Sequence, residues 1–355
     1  MPGYVEKALI RFNHTKPNVP QDSPHPWSPP KYGAKQQIAA PLSRVPLTPQ
    51  QTRWVQELVG VFLYYARAID NTMLASIGSI ASSHSTSTWA DIKYRALHFL
   101  NYAASHPNAA IRYTASQMQL WADSDASYLC ESKARSRAGG YHFLSSKPSY
   151  PIRDSEFPPP HNAPIQVISK IIDTVMSSAQ EAETGAGYIN GKELVPSIRA
   201  LEELGHKQFP VPIQFDNKVA AALMKDECKP KQSKSMDMRF YWLRCRQRQK
   251  QFHIYWRKGV DIKNKRFNLG DYPTKHHPTS HHRDVRPNYV MNKIVHTPPT
   301  TLLHRVHTKQ SKTPLRKLKN SSTAISRQLL RIRSNQTHHR LRHHKTKTSI
   351  CRFAT

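Results

Sequence analysis

Residues 118–146, MQLWADSDASYLCESKARSRAGGYHFLSS, decide the fold class. Apolar and polar residues alternate through MQLWADSDASYL, and a period of two is the mark of a half-buried strand. The basic run SKARSRAGG (132–140) reads as a loop, and YHFLSS (141–146) as a second strand. Moving outward, a Pro-rich stretch at 148–164 leads to a third strand in IQVISKII (165–172). Ser177–Leu204 is helical in character, although Gly185, Gly187 and Gly191 each weaken it by about 1 kcal/mol relative to Ala. A strand (Val211–Phe215), a helix (Val219–Asp226), a longer helix (Met236–Gln249), a strand (Phe252–Arg257) and a last short helix near Asp271 complete the pattern. Strands that first meander and then alternate with helices predict an α/β (α+β) fold, one mixed sheet with helices packed on it.

Upstream the character changes. Residues 14–50 are dense in proline, most of all in HTKPNVPQDSPHPWSPPKYG (14–33), and predict an extended connector. Thr48 as N-cap with Pro49 in the first turn starts a helix, and Val55, Leu58, Val59, Phe62, Ala66 and Ile69 continue it at helical spacing. Further helices are predicted over Met73–Ala81 and Trp89–Ala104. Beyond about Tyr289 periodicity is lost, which predicts a disordered, low-complexity tail. Residues 291–355 carry 15 Lys and Arg and no acidic residue, half of the formal charge of +30. An excess of that size favours a polyanionic partner, of which nucleic acid is the commonest. Four widely spaced cysteines give no disulfide framework. The N-terminus has no secretory apolar core, and the most apolar stretch, Trp54–Ile80, is interrupted by Glu57, Arg67 and Asp70. The expectation is an intracellular protein, cytoplasmic or nuclear, with no membrane partner.

Four acidic residues stand where chemistry could use them: Asp125 in the first strand, Glu183 in the first long helix, Asp216 at the end of the Val211–Phe215 strand, and Asp271 opening the last helix. Phosphodiester hydrolysis by two divalent ions about 4 Å apart needs such a set, because Mg²⁺ takes oxygen ligands. With 23 acidic residues in the chain, spacing alone leaves four solvated carboxylates as the simpler account. The surrounding runs SDASYLCESKARSRAGGYHFLSS (124–146), SSAQEAETGAGYINGKELVPSIRALEELGH (177–206), PIQFDN (212–217), KSMDMRFYWLRCRQRQKQFHIYWRKG (234–259) and NLGDYPTKHHP (268–278) add more. In that order they resemble the ribonuclease H domain of copia-type LTR retrotransposon Pol polyproteins. The upstream runs VGVFLYYARAIDNTMLASIGSIAS (59–82) and ALHFLNYAASHPNAAIRY (96–113) look like the helices that follow the polymerase palm in those elements.

The resemblance implies a domain plan: residues 1–107 as a reverse-transcriptase thumb and connection remnant with its linker at 14–50, 108–290 as a ribonuclease H-like domain, and 291–355 as a basic tail. It implies that Asp125, Glu183, Asp216 and Asp271 are catalytic and hold two Mg²⁺ ions, with Mn²⁺ as a substitute. Asp123 shares a strand face with Asp125, so either could reach the metals, and the resemblance favours Asp125. Glu181 lies about 200° around the helix from Glu183, and the resemblance selects Glu183. The implied partner is an RNA–DNA hybrid, gripped through its backbone, together with the rest of a retroelement polyprotein. Donors assigned to it are Lys133, Arg135 and Arg137 in the basic loop, Asn217, Lys234, and Arg239, Arg244, Arg246 and Arg248 with the nearby Lys250 on the long helix. Tyr241 and Trp242 are assigned to the core. The run HHPTSHH (276–282) invites a zinc site. No cysteine is near it, however, and the family has a similar His-rich end with no metal role, so zinc is not expected.

Some positions depart from the family. No Tyr-x-Asp-Asp motif occurs, so polymerisation is not expected. VDIKNKRFN (260–268) is several residues longer than usual, which threatens to displace Asp271; Gly270 and Pro273 replace the usual Ala and Phe. The expected function is hydrolysis of the RNA strand of RNA–DNA hybrids; the alternative is a catalytically dead relic that still binds nucleic acid.

Overall fold

The structure is a computed structural model that describes residues 1–29, 45–83, 87–148, 158–227, 237–261 and 266–291. Lys234 and the tail beyond Met291 lie outside the described residues. Met1–His296 form one compact unit.

Helices come first: α1 (Tyr4–Arg11), α2 (Pro49–Ala68), α3 (Leu74–Ser83) and α4 (Trp89–Ser105). Thr48 caps α2 in a full capping box with Gln51, and Pro49 fills the first turn, where a missing amide hydrogen costs nothing. Leu58, Phe62, Ile77, Ile92, Ala96 and Phe99 close a helical core of their own. The proline-rich stretch, so far as it is described, has no regular structure, yet it is not loose. Ser23 and His25 are buried, and Ser76 Oγ donates to Pro24 O at 2.7 Å.

A five-stranded sheet follows, in the order β3-β2-β1-β4-β5. Its strands are β1 (Gln119–Glu131), β2 (Arg135–Ser145), β3 (Pro164–Ile171), β4 (Val211–Phe215) and β5 (Phe252–Trp256). β1, β2 and β3 form an antiparallel meander, whereas β1, β4 and β5 pair in parallel. Parallel neighbours need crossovers. α5 (Ala179–Glu203) supplies the first, and α6 (Lys218–Met224) with α7 (Asp237–Arg248) the second. Among the described residues this is a mixed α/β architecture, one five-stranded mixed sheet with helices packed on it.

Three expectations are revised here. The basic run at 132–140 is not a loop, since β2 begins at Arg135; only Ser132–Ala134 form a turn. The α5 glycines are not simply weak points: a Cβ on Gly187 would sit 2.7 Å from the Phe215 ring, so glycine lets the helix lie close on β4. The helix expected at Asp271 is a single 3-10 turn, Tyr272–Thr274, followed by α8 (Thr279–Val285).

Alternation along β1 sorts its two faces. Leu120 and Ala122 join the core under α5–α7, while Trp121 faces a second core with Leu269, Tyr272, Val285 and Tyr289. Asp123 and Asp125 continue the Trp121 side. The long segment VDIKNKRFN folds back on itself as β6 (Val260–Asp261) paired with β7 (Arg266–Phe267). Asn268 N donates to Gly259 O at 2.7 Å and closes the base of this hairpin.

A buried network joins the helices to the end of the sheet region. Arg286 Nη2 donates to Asp70 Oδ2 at 3.0 Å and Arg286 Nε to Tyr102 OH at 2.7 Å, with both charged side chains 5% exposed or less. His25 stacks on His276 at 4.0 Å, and Tyr272 hydrogen-bonds the fully buried His282. Burial lowers the pKa of His25, His142 and His282, the last to about 3. The folded chain therefore keeps them neutral where the unfolded chain, with ordinary values near 6.5, takes up protons. Between those values the unfolded state binds more protons, so stability is lost as pH falls through about 6.5. An imidazole that stays neutral in the fold costs at most about 1.4 kcal/mol per pH unit below that point. The urea midpoint should drop more between pH 7.5 and 5.5 in the chain than in His142→Asn, which lacks one of these imidazoles; equal drops would contradict the burial.

Candidate active site

Strand register brings the first two carboxylates together. Asp123 pairs with Gln214 across the parallel β1–β4 ladder, so two residues further on Asp125 lies beside Asp216, which follows directly on β4. Glu183 enters from the N-terminal turns of α5, and its Oε1 accepts a 3.4 Å hydrogen bond from Ala126 N on β1. Carboxylate oxygens of Asp125, Glu183 and Asp216 lie within 4.8 Å of one another. Asp271 stands beside the Asp125 carboxyl, from the loop ahead of the 3-10 turn. Asp125, Glu183 and Asp216 converge as one group with Asp271 on its flank, and the extra length before Asp271 is taken up in the β6–β7 hairpin.

The electrostatics are those of crowded acids. Burial, then Asp271 and Asp216, hold the Asp125 carboxyl well above the usual carboxylate range. Burial, then Asp125 and Asp216, do the same to Glu183. Burial and Asp271 raise Asp216. Burial would raise Asp271 as well, but Lys275 and His277 outweigh it and bring it below the ordinary value. The Lys275 ammonium sits 2.5 Å from Asp271 Oδ1, on the flank of the cluster. Glu183 Oε2 is buried without a hydrogen-bond partner. A buried, unpartnered carboxylate oxygen among three other carboxylates is a costly arrangement unless a cation joins it.

The supporting contacts separate the two ambiguous pairs. Asp123 Oδ2 accepts from Leu269 N at 3.0 Å and faces His161 Nε2 at 2.8 Å. It thus fixes the backbone two residues before Asp271 and does not join the cluster, a role no motif announced. Glu181 is likewise occupied, accepting from Ser177 N at 2.7 Å at the start of α5. Thr274 Oγ1 donates to Asp125 Oδ2 at 3.2 Å. Gly139, paired with Asp125 across the β1–β2 ladder, allows a very close approach of backbone: a Cβ there would lie 2.1 Å from Gly270 O. Gly270 is equally constrained, its own Cβ falling 2.8 Å from Asp123 O. Gly139→Ala should therefore push the Asp271 loop outward and cost about 1–3 kcal/mol, as overpacking does. Urea unfolding checks it; unchanged stability would mean that the loop moves freely.

The expected phosphate donors divide. Arg137 is a correction: it is 2% exposed, paired with Glu131 at 2.6 Å, with its Nη1 donating to Ser169 Oγ at 3.1 Å, and cannot reach a ligand. Arg244 is also buried, against Asp226 and 4.8 Å over the Phe240 ring. Lys133, Arg248 and Lys250 are exposed, and Arg135, Arg239 and Arg246 half-buried. Asn217 caps α6, accepting from Ala220 N at 3.0 Å. Tyr241 is 56% exposed, not in the core; Trp242 packs on Tyr188 and Phe252.

No family model and no curated protein matches the chain. Among solved structures it is similar to the N-terminal RNase H domain of Rv2228c from Mycobacterium tuberculosis, determined as a fusion with maltose-binding protein. That similarity has a TM-score of 0.26 and 11% identity, over 43% of this chain and 95% of the other. At that level nothing about residues or activity carries across. Among the described residues, no helix is long and apolar enough to cross a membrane.

Proposed function

We propose that the chain is a metal-dependent ribonuclease acting on the RNA strand of RNA–DNA hybrids, derived from the Pol polyprotein of a copia-type retrotransposon. The observation that carries this is the convergence of Asp125, Glu183 and Asp216 from three separate elements to within 4.8 Å of one another, with Asp271 beside Asp125. The all-oxygen donor set and the unpartnered Glu183 oxygen fit Mg²⁺. These four residues would hold the ions, which when bound supply positive charge against the phosphodiester undergoing cleavage. Thr274 holds Asp125 in place, Asp123 fixes the backbone ahead of Asp271, and Lys275 offsets part of the negative charge. Asp216 and Asp271 are half-buried, whereas Asp125 and Glu183 are buried, so a substrate would approach at the first two.

Lys133, Arg135, Arg239, Arg246, Arg248 and Lys250 are the cations left to meet a nucleic-acid backbone. Six phosphate contacts would make hybrid affinity fall about 10³-fold between 50 and 200 mM salt. A fluorescence-anisotropy titration at both concentrations measures this, and a salt-independent affinity would count against a backbone grip. The function itself is tested by cleavage of a labelled RNA–DNA hybrid in Mg²⁺ by the full chain. Cleavage confined to the RNA strand supports the proposal; a chain that binds the hybrid and never cuts it is the non-catalytic relic.

A further inference from the structure

The run HHPTSHH does not form a solvated basic end. His277 and His282 are buried, and His276 stacks on His25. His277 lies just before α8 and His281 within its first turn, and the two rings stack with centroids 4.5 Å apart. Together with Asp271 they bring three potential ligand atoms within 4.8 Å of one another.

We propose that Asp271, His277 and His281 form a second cation site, distinct in chemistry from the four-carboxylate group and suited to Zn²⁺ in preference to Mg²⁺. Two imidazoles and one carboxylate are the donors that late first-row divalent ions choose, whereas Mg²⁺ keeps to oxygen. Three protein ligands leave a fourth position for water or substrate. The independent observation is His277 Nε2: it is buried, has no hydrogen-bond partner, and lies 3.9 Å from Asp271 Oδ2. Ligand atoms around tetrahedral zinc stand about 3.3 Å apart, given bonds near 2.0 Å, so a small closing movement completes the set. The supports are already present. Tyr272 stacks on His277 at 5.2 Å and 10°, and Phe267 meets His281 edge-on at 6.1 Å. Asp271 divides its oxygens: Oδ1 faces Lys275 and Oδ2 faces His277. On the hydrolase reading, occupation of this site would draw Asp271 away from the carboxylate group, making zinc an inhibitor at concentrations where Mg²⁺ activates.

The test does not depend on activity. Full-chain protein is titrated with Co²⁺, whose visible absorption is strong in a four-coordinate nitrogen-ligated site and weak in an octahedral oxygen site. The expected result is a strong band that Zn²⁺ abolishes and excess Mg²⁺ does not. His281→Ala, at a half-buried position, should weaken Co²⁺ binding at least about tenfold, as should His277→Gln. Glu183→Gln, on the other site, should leave the band unchanged. A missing band overturns the proposal, as does a band that persists in His281→Ala, which would place Co²⁺ on other histidines. Loss of the band in Glu183→Gln alone would also overturn it. None of these outcomes bears on whether the carboxylates cleave hybrids.

Discussion

Asp125→Asn should leave a folded protein that still binds an RNA–DNA hybrid but cleaves it more than about 100-fold more slowly in Mg²⁺. Loss of an outer partner of a metal ligand costs 10- to 100-fold, and Asp125 is placed to be a ligand itself. It is the hub of the cluster, touching Asp216 on one side and Asp271 on the other. Asparagine keeps the shape and one acceptor oxygen, so Thr274 retains its hydrogen bond, while the charge that would hold a cation is gone. Removing one of several crowded, buried acids also relieves repulsion, so the variant should be at least as stable as the parent without divalent ions. Single-turnover cleavage beside urea unfolding measures both. Undiminished cleavage would remove Asp125 from the chemistry, and a collapse in stability would make it a structural acid.

The largest effect on stability is expected at Asp70. Its carboxylate is fully buried and paired with Arg286. Asp70→Ala leaves a buried guanidinium without its counter-charge, which costs about 3–5 kcal/mol. Arg286→Met alone should be similarly harmful, since it strands the carboxylate. The double variant Asp70→Leu with Arg286→Met should recover most of the loss, because replacing both charges by apolar groups is often neutral. Because the pair ties α2–α4 to the segment after α8, single variants should lower one common unfolding transition read by helix and by tryptophan signals. Two separated transitions would show that the regions unfold independently.

Much of the sheet was legible from the sequence because its strands carry local signals. β4 is a short apolar run ended by Asp216 and Asn217, and β1 alternates. The carboxylates were legible only through the motifs around them. What escaped has a common physical cause: it depends on which residues the pairing brings opposite each other. Arg137 looks like a surface cation in a basic run, but the β1–β2 hairpin, with its register shift between Ser127 and Glu131, puts it against Glu131. Gly139 and Gly140 look like a turn, yet they lie mid-strand because other groups pass where Cβ atoms would be. Asp123 was distinguishable from Asp125 only once Leu269 had been placed against it.

The hairpin ahead of Asp271 has one further consequence. Its base is closed by Asn268 N on Gly259 O, and Gly259 must stay bare because a Cβ there would come 2.6 Å from Asp216 Oδ2. Val260 and Asp261 pair with Phe267 and Arg266 next to this base, so the ends stay fixed whatever the number of residues that join them. Lengthening such an excursion costs little, about 0.6 kcal/mol per doubling. Residues 260–267 therefore form a permissive insertion point: a peptide tag or small domain could be spliced in there without changing the spacing of the four acids, whereas one residue added between Asn268 and Asp271 would.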